Sequence, residues 1–171
     1  MLSFPNSKIN IGLNIIGKRN DGYHNIETVF YPIAVKDALE IIESPTHDET
    51  DIIFTSSGKL ISGNTDENLC VKAYRLLKKD FPEIPSVRMH LHKNIPMGAG
   101  LGGGSSDGAA VLLLLNKKFN LNISEEKLTQ YALMLGSDCP FFLSNEPCFA
   151  EGRGEILKEI PLDLSGYKKM I

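Results

Sequence analysis

The stretch NIPMGAGLGGGSSDGAAVLLLLN, Asn94 to Asn116, sets the tightest limits on what this chain can be. Five glycines fall among the seven residues Gly98 to Gly104, followed by Ser105, Ser106 and Asp107 and then a nearly unbroken apolar run. Each glycine costs ordering entropy and gives positive φ and close backbone approach in return. Such a loop opening a helix gathers N–H groups at the positive end of the helix dipole. That is an anion site, and polyphosphate is its usual ligand. Ser105 and Ser106 add hydroxyls suited to a phosphate oxygen or to Mg2+; capping of the helix explains Ser106 nearly as well. The apolar run predicts a buried helix from about Ser106 to Lys118. The plainer alternative, a tight turn that lets a buried helix dock, rarely needs five glycines.

Common nucleotide loops fit poorly. No lysine follows the glycines as GxxxxGK[ST] requires. Gly98, Gly100 and Gly103 formally meet GxGxxG. The acidic residue about twenty positions on would be Glu125 or Glu126, in the first turn of a predicted helix rather than at a strand end. No protein-kinase signature is present.

In KINIGLNII the residues Ile9, Ile11, Leu13 and Ile15 alternate with Lys8, Asn10, Gly12 and Asn14, which predicts a strand with one apolar face. The opposite face is either solvated or presents Lys8 and Asn10 to a site. Asn20-Asp21-Gly22 signals a turn. Strands are expected at Ile26–Ile33, Leu39–Ile42, Ile52–Thr55 and Val87–Leu91, and SPTHDETD reads as a loop. Asp66 is expected to cap a helix running to about Lys79. Ser124 caps another that stops at Gly136. A short apolar helix is entered through Pro140, and Phe149–Lys158 reads as a hairpin through Gly152-Arg153-Gly154. Strands and helices mix without regular alternation, which favours an α+β fold with helices on one side of a sheet.

At 171 residues the chain is long enough for one domain with a real core. A net charge of −3 gives no footprint for nucleic acid or an anionic membrane. Ala109 to Leu115 is too short to span a bilayer. MLSFPNSKIN has neither a charged n-region nor an apolar h-region, so no signal peptide is expected. Cys70, Cys139 and Cys148 match no zinc spacing and read as reduced thiols of a cytoplasmic protein. His90 and His92 read as a solvated strand face rather than a metal site, and Cys139 as a buried structural thiol.

PMGAGLGGGSSD, read with SKIN (Ser7 to Asn10) and GSDCPFF (Gly136 to Phe142), resembles the GHMP kinase superfamily of small-molecule kinases. KINIGLNIIGKRNDGYHNIETVF, LGGGSSDGAA, GSDCPFF and FAEGRGE narrow the resemblance to its branch acting on a cytidyl-diphosphate methylerythritol alcohol. It covers essentially the whole chain. It implies a fold like ribosomal protein S5 domain 2, a mixed sheet with helices on one face. It also implies a nucleotide-binding domain over 1–165, with 166–171 the start of a second domain. The family continues where this chain stops at GYKKMI, and the apolar surface a half-cleft exposes invites a homodimer.

The implied reaction is ATP-dependent phosphorylation of the substrate's 2-hydroxyl, with Mg2+. Asp138 matches the family's catalytic aspartate; the lesser alternative from spacing alone is a helix cap, and the two roles are compatible. Lys8 matches the strand lysine beside it, where a cation favours a charged carboxylate and stabilises a nascent alkoxide. Asn10 is a substrate hydrogen-bonding candidate. Tyr23 and His24 match the cytosine-recognition stretch; without the resemblance His24 is a surface turn residue. Nucleotide binding carries over to Pro96, Met97, Gly98, Ala99, Gly100, Leu101, Gly102, Gly103, Gly104, Ser105 and Ser106. Lys93 and Asn68 are added near the adenine. The remaining alternatives are another GHMP kinase acting on a sugar or mevalonate-type alcohol, and a non-catalytic nucleotide-binding module.

Overall fold

A computed structural model describes residues 1–45 and 50–167. Residues 46–49 of the expected SPTHDETD loop, and the end of the expected second-domain start from 168 on, lie outside the described residues. Two four-stranded sheets make the frame. The first contains β1 (Leu2–Ser3), β4 (Ala38–Glu43), β6 (Val87–Lys93) and β5 (Ile52–Gly58), in that spatial order. It is mixed, since β5 runs parallel to β6 while β4 runs antiparallel to β6 and to β1. The second is antiparallel, with order β2 (Asn6–Lys18), β3 (His24–Lys36), β7 (Cys148–Glu151) and β8 (Ile156–Glu159).

Strand β6 shows why the first sheet has a wet face and a dry face. Val87, Met89, Leu91 and Lys93 are buried, and Arg88, His90 and His92 between them are exposed, as a two-residue period demands. The dry face packs on α1 (Leu69–Asp80), α2 (Gly103–Lys118) and α3 (Glu125–Leu135), with Leu39, Ile41, Tyr74, Leu77, Met89, Leu112 and Leu115 at its centre. On the wet face Thr55 and Ser57 hydrogen-bond His90 at 2.8 Å each, and Ser57 also bonds His92 at 3.0 Å. The two histidines are therefore engaged by hydroxyls on an open face. A smaller apolar cluster of Phe30, Ala109, Phe141, Phe142, Cys148 and Ala150 joins α2 and α4 (Phe141–Ser144) to the second sheet.

Three local expectations need correction. Asp66 does not cap α1. Asn64 caps a short 3-10 turn over Thr65–Glu67, and Asn68 then accepts from the Cys70 N–H to start the helix. Asp66 pairs with Arg75 instead. Helix α2 begins at Gly103, ahead of Ser106, because two of the glycines themselves take helical geometry. An added Cβ at Gly103 would sit 2.7 Å from Ile95 Cγ2, so only glycine lets the first turn lie this close to the chain leaving β6. The third correction concerns β2. Gly12 is an extra residue between the pairs Ile11–Val29 and Leu13–Thr28, with φ +70. Both faces of the strand are exposed from Ile11 to Ile16, where it extends past the core. Lys8 is buried, whereas Ile11, Leu13 and Ile15 are exposed, with Leu13 56% and Ile15 66% accessible.

Candidate active site

The glycine loop lies between β6 and α2 and is tied to β2 by its backbone: the Lys8 N–H donates to Leu101 O at 2.9 Å. Left-handed backbone recurs at Gly98, Gly100 and Gly102, with φ of 71, 73 and 68. Alternation of this kind turns successive N–H groups to one side as an anion-binding nest. Gly102 is the N-cap of α2 and supplies no side-chain hydrogen bond, so the helix's first N–H groups are left without that partner. A Cβ built on Gly98, Gly100 or Gly104 would meet nothing within 4 Å, which leaves open space over the loop. An uncapped helix start, a nest and free space above it together fit a polyphosphate.

Lys8 sits beside the loop at the foot of β2. It is 4% exposed, and its Nζ donates to Asn10 Oδ1 at 2.5 Å. The same nitrogen lies 3.5 Å from Asp138 Oδ2 and 4.5 Å from the centre of the Phe30 ring. Asp138 follows the C-cap Gly136 of α3 and is one-third exposed, so one side of the carboxylate meets the cation and the other meets solvent. The turn before α4 carries no side-chain cap, so the capping alternative for Asp138 is not what the structure shows. Lys8, Asn10 and Asp138 thus form one constellation, with an ion pair whose cation is buried and whose anion is reachable.

Tyr23 and His24, at the far end of the β2–β3 ribbon, do not touch that constellation directly. The ribbon curls towards it: Ile26 N–H donates to Gly152 O at 2.7 Å, and the Arg153 guanidinium lies 5.0 Å over the Tyr23 ring. An added Cβ at Gly154 would lie 3.5 Å from Asp138 Oδ1. The Gly152-Arg153-Gly154 turn therefore bridges the aromatic end and the carboxylate end. Sequence reasoning read it only as a hairpin turn; the charged residue between two glycines was the signal available.

The remaining predicted nucleotide residues divide. Asn68, Lys93, Met97, Gly104 and Asp107 line one cavity of about 200 Å³, and Pro96, Ala99 and Leu101 line a shallower one beside it. Lys93 is 1% exposed, and its amine is held by Asp37 Oδ2 at 2.5 Å and Asp107 Oδ2 at 2.6 Å. Burial pushes the Lys93 pKa down, but the two carboxylates outweigh it and leave the pKa raised. Asp37 also accepts the Asn94 and Ile95 N–H groups through Oδ1, which pins the chain where it leaves β6. Burial raises the Asp107 pKa to about 7 against the pull of Lys93. Neither aspartate was singled out by sequence reasoning, since their meeting with Lys93 is a long-range event.

Ser106 is 3% exposed and faces Asn6 and Phe142, whereas Ser105 on the adjacent turn hydrogen-bonds the Cys139 thiol. Burial pushes that thiol up to about 11, which suits a structural cysteine.

The chain is similar to known proteins. The curated 4-diphosphocytidyl-2-C-methyl-D-erythritol kinase of Bacteroides thetaiotaomicron is 57% identical over 171 residues, covering all of this chain and 62% of the relative. That of Cytophaga hutchinsonii is 51% identical over 155 residues, covering 91% of this chain and 55% of the relative. Residues 68–146 match the family model for the GHMP kinases N terminal domain.

The chain is similar to the GHMP kinases. It spans 62% of the length of the Bacteroides relative. Among solved GHMP kinase structures, one of 4-(cytidine 5'-diphospho)-2C-methyl-D-erythritol kinase superposes with TM-score 0.81 at 36% identity, over 95% of this chain and 56% of that one. The Methanococcus jannaschii mevalonate kinase superposes with TM-score 0.67 at 16% identity over 94% and 56%, a likeness of fold. The mixed sheet with helices on one face is therefore the GHMP kinase N-terminal fold, as the motifs imply. Among the described residues no helix is long and apolar enough to cross a membrane.

Proposed function

We propose that a protein carrying this chain transfers the γ-phosphoryl group of ATP to the 2-hydroxyl of 4-diphosphocytidyl-2-C-methyl-D-erythritol. The observation that carries the reading is the Lys8–Asp138 pair, 3.5 Å apart, with Lys8 on a strand whose backbone is bonded to the glycine loop. An anion site alone needs no such pair. Phosphoryl transfer does, because it asks the protein to align two groups, neutralise charge and accept a hydroxyl proton.

In this reading Asp138 accepts that proton on its exposed side, and Lys8 stabilises the developing alkoxide. Asn10 fixes the Lys8 amine and offers its amide to the substrate. The loop from Pro96 to Ser105 cradles the phosphates, the buried Ser106 packing behind it with its N–H on Gly102 O; Asn68 lies at the adenine side, and Tyr23 and His24 take the cytosine. Lys93 acts through the loop rather than on the nucleotide, since two carboxylates occupy its amine. Mg2+ supplies charge neutralisation on the phosphates when bound. Among the described residues no three His, Cys, Asp or Glu side chains gather as a metal site. That suits an ion that arrives with its phosphates and takes only one or two protein ligands. Three free, buried cysteines fit a cytoplasmic setting.

The test is ADP release with ATP, Mg2+ and the cytidyl substrate, with mevalonate and galactose as control alcohols. It is run on this chain and on a chain extended to the relatives' length. Turnover confined to the cytidyl substrate and lost in Asp138→Asn supports the reading. Silence of both chains, or equal turnover of the control alcohols, overturns it.

A further inference from the structure

Arg153 keeps hydrogen-bond donors that the fold does not use. It sits at the tip of the β7–β8 hairpin, between Gly152 and Gly154, both at positive φ. Its Nε is buried and has no hydrogen-bond partner. The nearest carboxylate, Glu155, approaches that nitrogen only to 3.8 Å, because its Oε2 is occupied by the Arg153 backbone N–H at 2.5 Å. Among the described residues the terminal guanidinium nitrogens make no hydrogen bond or ion pair. Asp21, the other carboxylate within electrostatic reach, is engaged by the Arg19 side chain. A partly buried guanidinium with unspent donors is a recognition group, since buried donors are otherwise satisfied.

Its surroundings say what it recognises. One face of the Tyr23 ring is covered by the guanidinium at 5.0 Å, and Tyr23 stays 56% exposed. On the other side, the neighbouring Gly154 abuts Asp138. The arginine therefore stands between an exposed aromatic able to stack on a base and the carboxylate proposed to receive the hydroxyl proton. A planar fork at that place matches adjacent phosphoryl groups, as a lysine would not.

We infer that Arg153 binds the diphosphate of the acceptor substrate and sets the preference for an alcohol tethered through a diphosphate to a nucleoside. This rests on the cytidyl reading of the site. It orders the acceptor cleft along the surface: base at Tyr23 and His24, diphosphate at Arg153, reacting hydroxyl at Asp138.

Calorimetric titration of the chain with CDP, CMP, cytidine and ADP tests it, with Arg153→Gln and Arg153→Lys as variants. The wild-type chain is expected to bind CDP more tightly than CMP, and CMP more tightly than cytidine. Arg153→Gln should weaken CDP by roughly tenfold or more, the scale of one charge-assisted hydrogen bond. Cytidine and ADP should change little, and Arg153→Lys should fall between. Unchanged ADP binding also reports that the variants are folded. If Arg153→Gln does not fold, a CDP affinity of the wild type that does not fall with salt overturns the assignment, as does full CDP affinity in Arg153→Lys. CDP binding that is equal in wild type and Arg153→Gln overturns the arginine's role and leaves the cytidyl reading standing. Failure of the wild type to bind CDP while it binds ADP overturns both.

Discussion

Lys93 Nζ lies 2.6 Å from Asp107 Oδ2 across the seam between β6 and α2, and both side chains are almost wholly withdrawn from water. With Asp37 on the other side of the amine, one cation serves two carboxylates, and Asp107 Oδ1 is left buried with no partner. The pair joins the strand entering the glycine loop to the helix leaving it.

Stability should therefore fall as pH rises across the acid-to-neutral range. The Asp107 pKa in the folded chain, about 7, stands above the ordinary value of 3.8, so between these limits the native state holds a proton that the unfolded chain has released. Folding is favoured at the acid end of that window and loses this contribution as pH climbs through it. Asp107→Asn keeps the shape and removes the titration. Melting temperatures taken from pH 5 to 8 should slope downward in the wild type relative to this variant; parallel curves would refute the account.

Removing the cation is expected to be worse than removing either anion. Lys93→Met leaves Asp37 and Asp107 facing each other without compensation, and breaking a buried pair this way costs about 3–5 kcal/mol. Urea unfolding measures it. A loss under about 1 kcal/mol, the scale of an exposed pair, would mean that water reaches the site.

Gly102→Ala should damage the site more than the fold. The residue has φ +68, and an added Cβ would lie 2.9 Å from Phe142 Cζ and 3.2 Å from Lys8 Cε. Relief requires moving the Phe142 ring or the Lys8 side chain, or leaving the left-handed region that starts α2. ATP affinity and turnover are both expected to drop while the far-ultraviolet circular dichroism is kept. Gly166→Ala, outside the loop and with open space around it, is the control and should bind ATP as the parent does.

In a chain that turns over, Asp138→Asn and Lys8→Met should each lower kcat by roughly 10²–10⁴, the range for general acid–base groups. KM for ATP should move little, since neither residue belongs to the loop. The double variant should cost far less than the product of the singles, because the two act as one unit. Full additivity would separate them.

Much of this was legible in advance because it is local. The glycine run, the period-two strand Val87–Lys93 and the Ser124 cap with its stop at Gly136 each follow from a few adjacent residues. The pairing of Lys8 with Asp138 came through resemblance, since no spacing rule brings together residues on different elements. The Asp37–Lys93 contact joins residues 56 positions apart, and composition gives no sign of it. Arg153 gains its meaning from Tyr23, which only the curl of the ribbon brings near. Period two tells which residues of β2 share a face, not whether that face meets a core: from Ile11 to Ile16 the ribbon extends past the core and both faces meet water.

The bulge at Gly12 is an insertion that the flanking pairs do not need. Thr28 Oγ1 holds the Gly12 carbonyl at 2.5 Å, so the irregularity is fastened in place. Beyond it Leu13, Ile15 and Ile16 face water, where exchanging one side chain for another disturbs little packing. Deleting Gly12 alone would make Ile11–Val29 and Leu13–Thr28 consecutive pairs of a regular ladder, keeping the register and losing the extra twist of the bulge. Mutational scanning should show permissive substitution from Leu13 to Ile16 and a folded chain even when the codon for Gly12 is lost.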